Sequence, residues 1–273
     1  MVKKLLWDFL KMVLLFGGIF FLFFVGIKFL PEKQRNHWFY QDNKSALLSI
    51  EQEILLGEKI EEILFEHHQE VKIKVIDSAL WVILTRLEKK IEQSEYDYEI
   101  KVIDSPEINA FTLPGGKIYI NKGLLSFCDS PEQLAAVLAH EIGHVEHRHV
   151  VSKLIKEFGI SLLFTIISGG DPFLLTDLFR TTASKAFDRS YEKEADQFAL
   201  NLLEEAKISP TAMASFFRKL NRENLGYDEK MEFLMTHPHN NARIKRALNH
   251  KTRDAFESQR FELNWEEVVR EAK

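Results

Sequence analysis

Apolar residues cluster first near the N-terminus. Between Lys11 and Lys28 no residue is charged, and the apolar stretch reaches Leu30 when the Lys28 ammonium extends to the interface along its own methylenes. The nineteen residues 12–30, rising about 1.5 Å each, match a hydrocarbon core about 30 Å thick and predict one transmembrane helix. Lys3, Lys4 and Lys11 would also serve as the basic region of a cleaved signal peptide, but Lys28-Phe29-Leu30-Pro31-Glu32 offers no small-x-small cleavage site. Lys28, Lys33 and Arg35 nearly balance those three lysines, and the usual single-anchor arrangement places the bulk of the chain outside the cytoplasm.

Residues 31–44 are polar with an aromatic cluster (His37, Trp38, Phe39, Tyr40) and read as a juxtamembrane linker. A helical period then begins. Ser49 and Gln52 form a capping-box signature, and Ile50, Ile54, Leu55, Ile60, Ile63 and Leu64 carry a helix to about His68. A second helix is expected over 78–93. The period changes to two at Tyr98, Ile100 and Val102, and Lys117-Ile118-Tyr119-Ile120 follows a Pro114-Gly115-Gly116 turn, so a small sheet is expected with Asn109-Ala110-Phe111 as an edge strand. After Ser130 the pattern is helical. Ser130, Pro131 and Glu132 open a helix over 130–149, and others are expected at 191–206, 210–222 and 241–250. The apolar run 160–167 is too short to span a bilayer and reads as a core helix beside the 130–149 helix, or as a membrane-touching flap over a cleft.

The chain has 273 residues, 45% hydrophobic and 28% charged, enough for one sizeable globular domain or two small ones. A net charge of -5 lacks the basic footprint of a phosphate-backbone binder, so no nucleic acid is expected as a partner. Cys128, the single cysteine, excludes an intramolecular disulfide and a CxxC zinc ribbon.

Candidate chemistry lies on the 130–149 helix. Residues four apart on a helix face one side, so His140 and His144 of His140-Glu141-Ile142-Gly143-His144 can reach one ion, as two zinc ligands do. Glu141 points about 100° round the helix from His140, where a carboxylate can take a proton from an activated water without binding the metal. Leu134, Ala135, Val137 and Leu138 before the motif suit a helix that runs through a core. A catalytic zinc takes three protein ligands. His147 and His149 follow closely, but neither converges easily on the same ion from one straight helix, and both then read as packing or surface residues. The competitor is a carboxylate from a later helix. Glu192 and Asp196 are four apart and share a face, Glu192 as ligand and Asp196 as the acceptor that orients a ligand imidazole through its other ring nitrogen. Glu192 by itself reads equally well as an ordinary carboxylate at a helix N-terminus.

These residues resemble the gluzincin superfamily of membrane-associated zinc metallopeptidases, with HtpX, BepA-type, mitochondrial OMA-type and CAAX prenyl protease branches. Five blocks carry the resemblance in order: Ser49 to Gly57, Asn109 to Leu125, His140 to His149, Arg189 to Asp196, and His237 to Ile244. The resemblance implies that His140, His144 and Glu192 bind one Zn²⁺ per chain and that Glu141 is the general base. It places His237 where it hydrogen-bonds a tetrahedral oxyanion or approaches the zinc, and Arg243 where it holds that loop. It also implies that Asn109, Ala110 and Phe111 form an edge strand along which an extended peptide lies by β-augmentation. One anchor in place of several spans favours the BepA-like branch.

The expected architecture is α+β: a mainly helical zincin-like metallopeptidase domain with a small β-sheet, preceded by one N-terminal transmembrane helix. Its parts are an anchor at 1–30, a linker at 31–44, the metallopeptidase domain at 45–250 and a C-terminal helical tail at 251–273. The expected activity is zinc-dependent endoproteolysis of unfolded or misassembled envelope proteins. The expected place is the bacterial inner membrane, single-pass, with the catalytic domain in the periplasm. Partners are then extended polypeptide and, through the N-terminal helix, the lipid bilayer. From another class comes a membrane-tethered, chaperone-like binding factor with latent or gated cleavage. A non-peptidase zinc hydrolase fits less well, because an edge strand suits extended peptides.

Overall fold

The computed structural model describes residue 11 and residues 47–169, 172–184, 186–223, 233, 236–238 and 240–273. The chain divides into Met1–Lys44 and Ser45–Lys273, and the second unit is described below. The expected transmembrane helix at 12–30 and the linker at 31–44 lie outside the described residues. Among the described residues no helix is long and apolar enough to cross a membrane.

The second unit is mainly helical with one four-stranded sheet. In chain order its elements are α1 (Ile50–His67), β1 (Glu70–Val71), α2 (Lys74–Glu88), β2 (Glu99–Ile103), β3 (Ala110–Leu113), β4 (Lys117–Asn121), α3 (Lys122–Phe127) and α4 (Pro131–Glu146). They continue as α5 (His149–Phe158), α6 (Ile160–Ile167), α7 (Pro172–Ser184), α8 (Arg189–Glu205), α9 (Thr211–Glu223), α10 (Asn240–Asn249) and α11 (Trp265–Glu271).

α1 starts at a reciprocal capping box. The Ser49 amide donates to Gln52 Oε1 at 2.9 Å and the Gln52 amide to Ser49 Oγ at 3.3 Å, so two otherwise unmatched donors are satisfied. The sheet runs β1-β2-β4-β3. β2 and β4 are parallel with Val102 opposite Ile120, and the outer strands pair antiparallel. β3 therefore ends the sheet. The β3–β4 turn uses Gly115 and Gly116 at φ 85° and 87°, a region that side chains with a Cβ avoid.

Strand alternation divides the core into two layers. Val102, Ala110, Ile118 and Ile120 face a cluster built with α2, α4, α8, α9 and α11. Ile103, Phe111, Leu113 and Tyr119 face α1, α5, α6 and α7. Glu61 pins α1 to the second face: it accepts from Lys101, from Lys117 Nζ at 2.7 Å and from the Tyr119 hydroxyl at 2.6 Å. α4 lies at the centre, with every residue from Gln133 to Val145 buried, as its apolar and small residues all round the helix require. It opens on Pro131 after Ser130, which makes no side-chain cap. Instead the Asp129 amide donates to Gln133 Oε1 at 2.8 Å.

Four expectations are corrected. α2 starts earlier than residue 78 and ends at Glu88, entered through Ile73 with no side-chain cap. The motif helix ends at Glu146 instead of reaching His149, because Arg148 is left-handed at φ 53° and ψ 33° and α5 starts anew at His149. That conformation costs an ordinary residue about 1 kcal/mol. The buried Glu53 carboxylate offsets the cost by accepting from Arg148 Nε at 2.6 Å and from the Tyr96 hydroxyl at 2.7 Å. α6 packs chiefly on α1 and α5 through Leu163 and Ile166, not beside the motif helix, and leaves Phe164 38% exposed. The 251–273 tail is helical only in α11, whose Trp265 Nε1 donates to the Cys128 carbonyl at 2.8 Å. This seals Cys128, and burial pushes its thiol pKa far up.

Candidate metal centre

The sequence brings its candidate residues together through three elements and one loop. α4 supplies His140, Glu141 and His144, α8 supplies Glu192 in its first turn and Asp196 one turn on, and α10 supplies Arg243. His237 follows Thr236, whose hydroxyl donates to Asn109 Oδ1 at 3.5 Å, while the Phe233 amide donates to the Ile108 carbonyl at 3.1 Å. The start of β3 is thereby tied to the His237 segment. Asn109, Ala110 and Phe111 are all buried.

His140, His144, Glu192 and His237 each offer a ligand atom within 4.8 Å of the others. His140 Nε2 lies 3.0 Å from His144 Nε2 and 3.3 Å from His237 Nδ1. Glu192 Oε1 lies 3.4 Å from His144 Nε2 and 2.9 Å from His237 Nδ1. Tetrahedral bonds of about 2.0–2.1 Å from zinc to nitrogen or oxygen separate ligand atoms by about 3.3 Å. The spacing and the imidazole-carboxylate chemistry of the set fit one such ion. Sequence reasoning put His237 near the site; the structure puts its Nδ1 inside the donor set, with its Nε2 3.5 Å from Glu141 Oε1.

Burial controls the charge states. It lowers the His140 pKa to about 4, helped by the neighbouring Arg243 guanidinium, and holds His144 well below the usual imidazole range. Both rings are neutral at neutral pH, with lone pairs for a metal. Glu141 is fully buried and neither of its oxygens accepts a hydrogen bond. Burial first, and the Glu192 charge second, push its pKa well above the carboxylate range. An unsolvated carboxylate of this kind is a strong proton acceptor.

A second layer orients the donors. Asp196 Oδ1 stands 3.1 Å from His140 Nδ1 and takes Arg243 Nη2 at 2.7 Å. Burial would raise the Asp196 pKa, but Arg243 outweighs it and keeps the group below its ordinary value. Arg243 is 1% exposed, pairs with Glu192 Oε2 at 3.0 Å through Nη1, and donates to the His237 carbonyl at 3.4 Å. It thus holds two carboxylates and the backbone of His237 together.

Three contributors escaped sequence reasoning. Arg246, one turn after Arg243, also donates to Asp196; its i,i+3 spacing was a legible signal. Phe187 stacks on His144 with ring centroids 4.0 Å apart. His149, expected to pack or lie on the surface, is buried with its Nδ1 3.0 Å from His144 Nδ1, while His147 is exposed and stacks on it.

A sequence model of peptidase family M48 matches residues 77–251. The chain is 30% identical over 268 residues to the mitochondrial metalloendopeptidase OMA1 of Saccharomyces cerevisiae, covering 86% of this chain and 72% of that protein. It is 34% identical over 152 residues to the mitochondrial metalloendopeptidase OMA1 of Arabidopsis thaliana, covering 54% of this chain and 30% of that protein. With the beta-barrel assembly-enhancing protease of Escherichia coli the identity is 30% over 161 residues, 54% of this chain and 33% of that protein. The match thus spans most of the yeast relative but about a third of the other two.

Proposed function

Because the chain belongs to peptidase family M48, we propose that it is a zinc-dependent metalloendopeptidase whose site is His140, His144, Glu192 and Glu141. The observation that carries this reading is the buried set of four donor atoms, all within 4.8 Å of one another, beside a buried carboxylate that accepts no hydrogen bond. Zinc bound there would polarise a peptide carbonyl and lower the pKa of water to about 7. Glu141 takes the proton of the attacking water and returns it to the leaving amine. Asp196 fixes the His140 ring so that Nε2 keeps its lone pair, and Arg243 offsets the carboxylate charge.

Asn109, just before β3, and Ala110 and Phe111 on it would present a sheet edge to an extended chain, which selects for unfolded polypeptide more than for one sequence. On the same reading, residues 12–30 anchor the chain in a bacterial inner membrane, residues 31–44 link it to a periplasmic metallopeptidase domain at 45–250, and the substrates are unfolded or misassembled envelope proteins. The second reading, a tethered holding factor with gated cleavage, is favoured by His237 Nδ1 lying within the donor set, where a catalytic site keeps a position for water.

The test is zinc content together with cleavage of casein by the detergent-solubilised chain and its Glu141→Gln variant. One zinc in both and cleavage that falls by roughly 10²–10⁴-fold in the variant is expected. Equal cleavage by both would sink the assignment of Glu141, and absence of zinc from the wild type would sink the ligand assignment.

A further inference from the structure

His149 opens α5 immediately after the left-handed Arg148, and it is 1% exposed. Its ring is stacked on Tyr191 with centroids 4.4 Å apart and planes 14° apart. Its Nδ1 lies 3.0 Å from Nδ1 of His144, and its Nε2 lies 3.2 Å from Oε2 of Glu194, a side chain 55% exposed. Two nitrogens at that separation share one proton, so one donates and the other accepts.

The direction is fixed by what lies at each end. His144 Nε2 belongs to the donor set, 3.0 Å from His140 Nε2 and 3.4 Å from Glu192 Oε1, and a nitrogen facing a metal keeps its lone pair. The His144 proton is therefore on Nδ1, His149 Nδ1 must accept it, and the His149 proton sits on Nε2, where the Glu194 carboxylate can only accept. We propose that His149 is a positioning residue for His144: its imidazole accepts the Nδ1–H of the ligand ring, fixes its tautomer and tilt, and is itself oriented by Glu194.

The two histidines of the motif are then held by different means. His140 meets Asp196 directly, a buried carboxylate bound by two guanidinium groups. His144 reaches its carboxylate through a neutral ring, and the bend at Arg148 brings that ring into reach. Glu53 from α1 sets the bend through Arg148 Nε at 2.6 Å. A straight continuation of α4 would carry residue 149 on past His144 along the helix axis instead of turning it back.

This inference rests on the metallopeptidase reading, and the experiment separates the two. Zinc affinity of the full chain in detergent is measured by competition with a chromophoric chelator, and Co²⁺ loading reports ligand geometry through its visible bands. His149→Phe keeps a ring against Tyr191 but removes both nitrogens; His149→Asn keeps an acceptor near the place of Nδ1. The Phe variant is expected to bind zinc roughly 10–100-fold more weakly and to shift the Co²⁺ bands, with the Asn variant close to wild type on both. Wild-type affinity in the Phe variant would overturn the proposal, as would equal loss in the Asn and Phe variants. If His149→Phe does not fold, the Asn variant still decides, because a loss there of tenfold or more overturns the proposal. Glu192→Ala is the control for the parent reading: unchanged zinc binding in that variant would overturn the metal site itself.

Discussion

Gly143 of α4 and Ala195 of α8 meet without room for one more methyl: a Cβ built on Gly143 would stand 3.0 Å from both the Cα and the carbonyl oxygen of Ala195. The glycine sits between the two histidines of the motif, and the alanine sits between Glu192 and Asp196. Their smallness lets the two helices approach until His144 Nε2 stands 3.4 Å from Glu192 Oε1.

Gly143→Ala should therefore separate folding from metal binding. Alanine favours a helix interior by about 1 kcal/mol over glycine, so the metal-free domain should melt at or near the wild-type temperature. The helices must nevertheless part by a few tenths of an ångström, and zinc affinity should fall. Calorimetry of the metal-free protein beside a chelator competition checks both halves. A variant that binds zinc as tightly as wild type would show that the contact does not control ligand spacing.

His237→Ala should weaken zinc binding and raise the initial rate of casein cleavage at saturating zinc. Nδ1 of His237 lies 2.9 Å from Glu192 Oε1 and 3.3 Å from His140 Nε2, completing a four-donor set, and its removal frees the position that water needs. A lower rate at full zinc occupancy would instead assign His237 to the oxyanion.

Much of the site was legible because both motifs fall on helices, where spacing alone puts His140 beside His144 and Glu192 beside Asp196. The edge strand Ala110–Leu113 was legible from its turn. His149 was not. Its place depends on a left-handed arginine, a residue type that announces no bend, and on Glu53, 95 positions from that arginine in sequence. β1 has two residues, Glu70 and Val71, too few to show a period. The early start of α2 likewise lacks a capping side chain to announce it.

Glu61→Gln should loosen α1 from the sheet, lowering stability by about 2 kcal/mol at neutral pH through loss of charge-assisted hydrogen bonds. Burial raises the Glu61 pKa, but Lys101, Lys117 and Tyr119 outweigh it and hold the group below its ordinary 4.5. A depressed carboxylate contributes stability above its unfolded pKa and loses it as pH falls through the folded value. The gap between wild type and Glu61→Gln in urea unfolding should therefore be full at pH 6 and shrink below about 4.5. A gap independent of pH would place the effect in packing.

Cys128, 2% exposed and with Trp265 Nε1 donating to its carbonyl, is a thiol that does not meet its surroundings while the domain is closed. Reagents and oxidants act on exposed thiolates, so the folded chain should be indifferent to both. Each labelling event then records an excursion in which the C-terminal helix lifts away. Trp265→Ala should speed labelling in native buffer well before the domain melts. The lone cysteine thereby serves as a built-in timer of local opening, readable by mass alone.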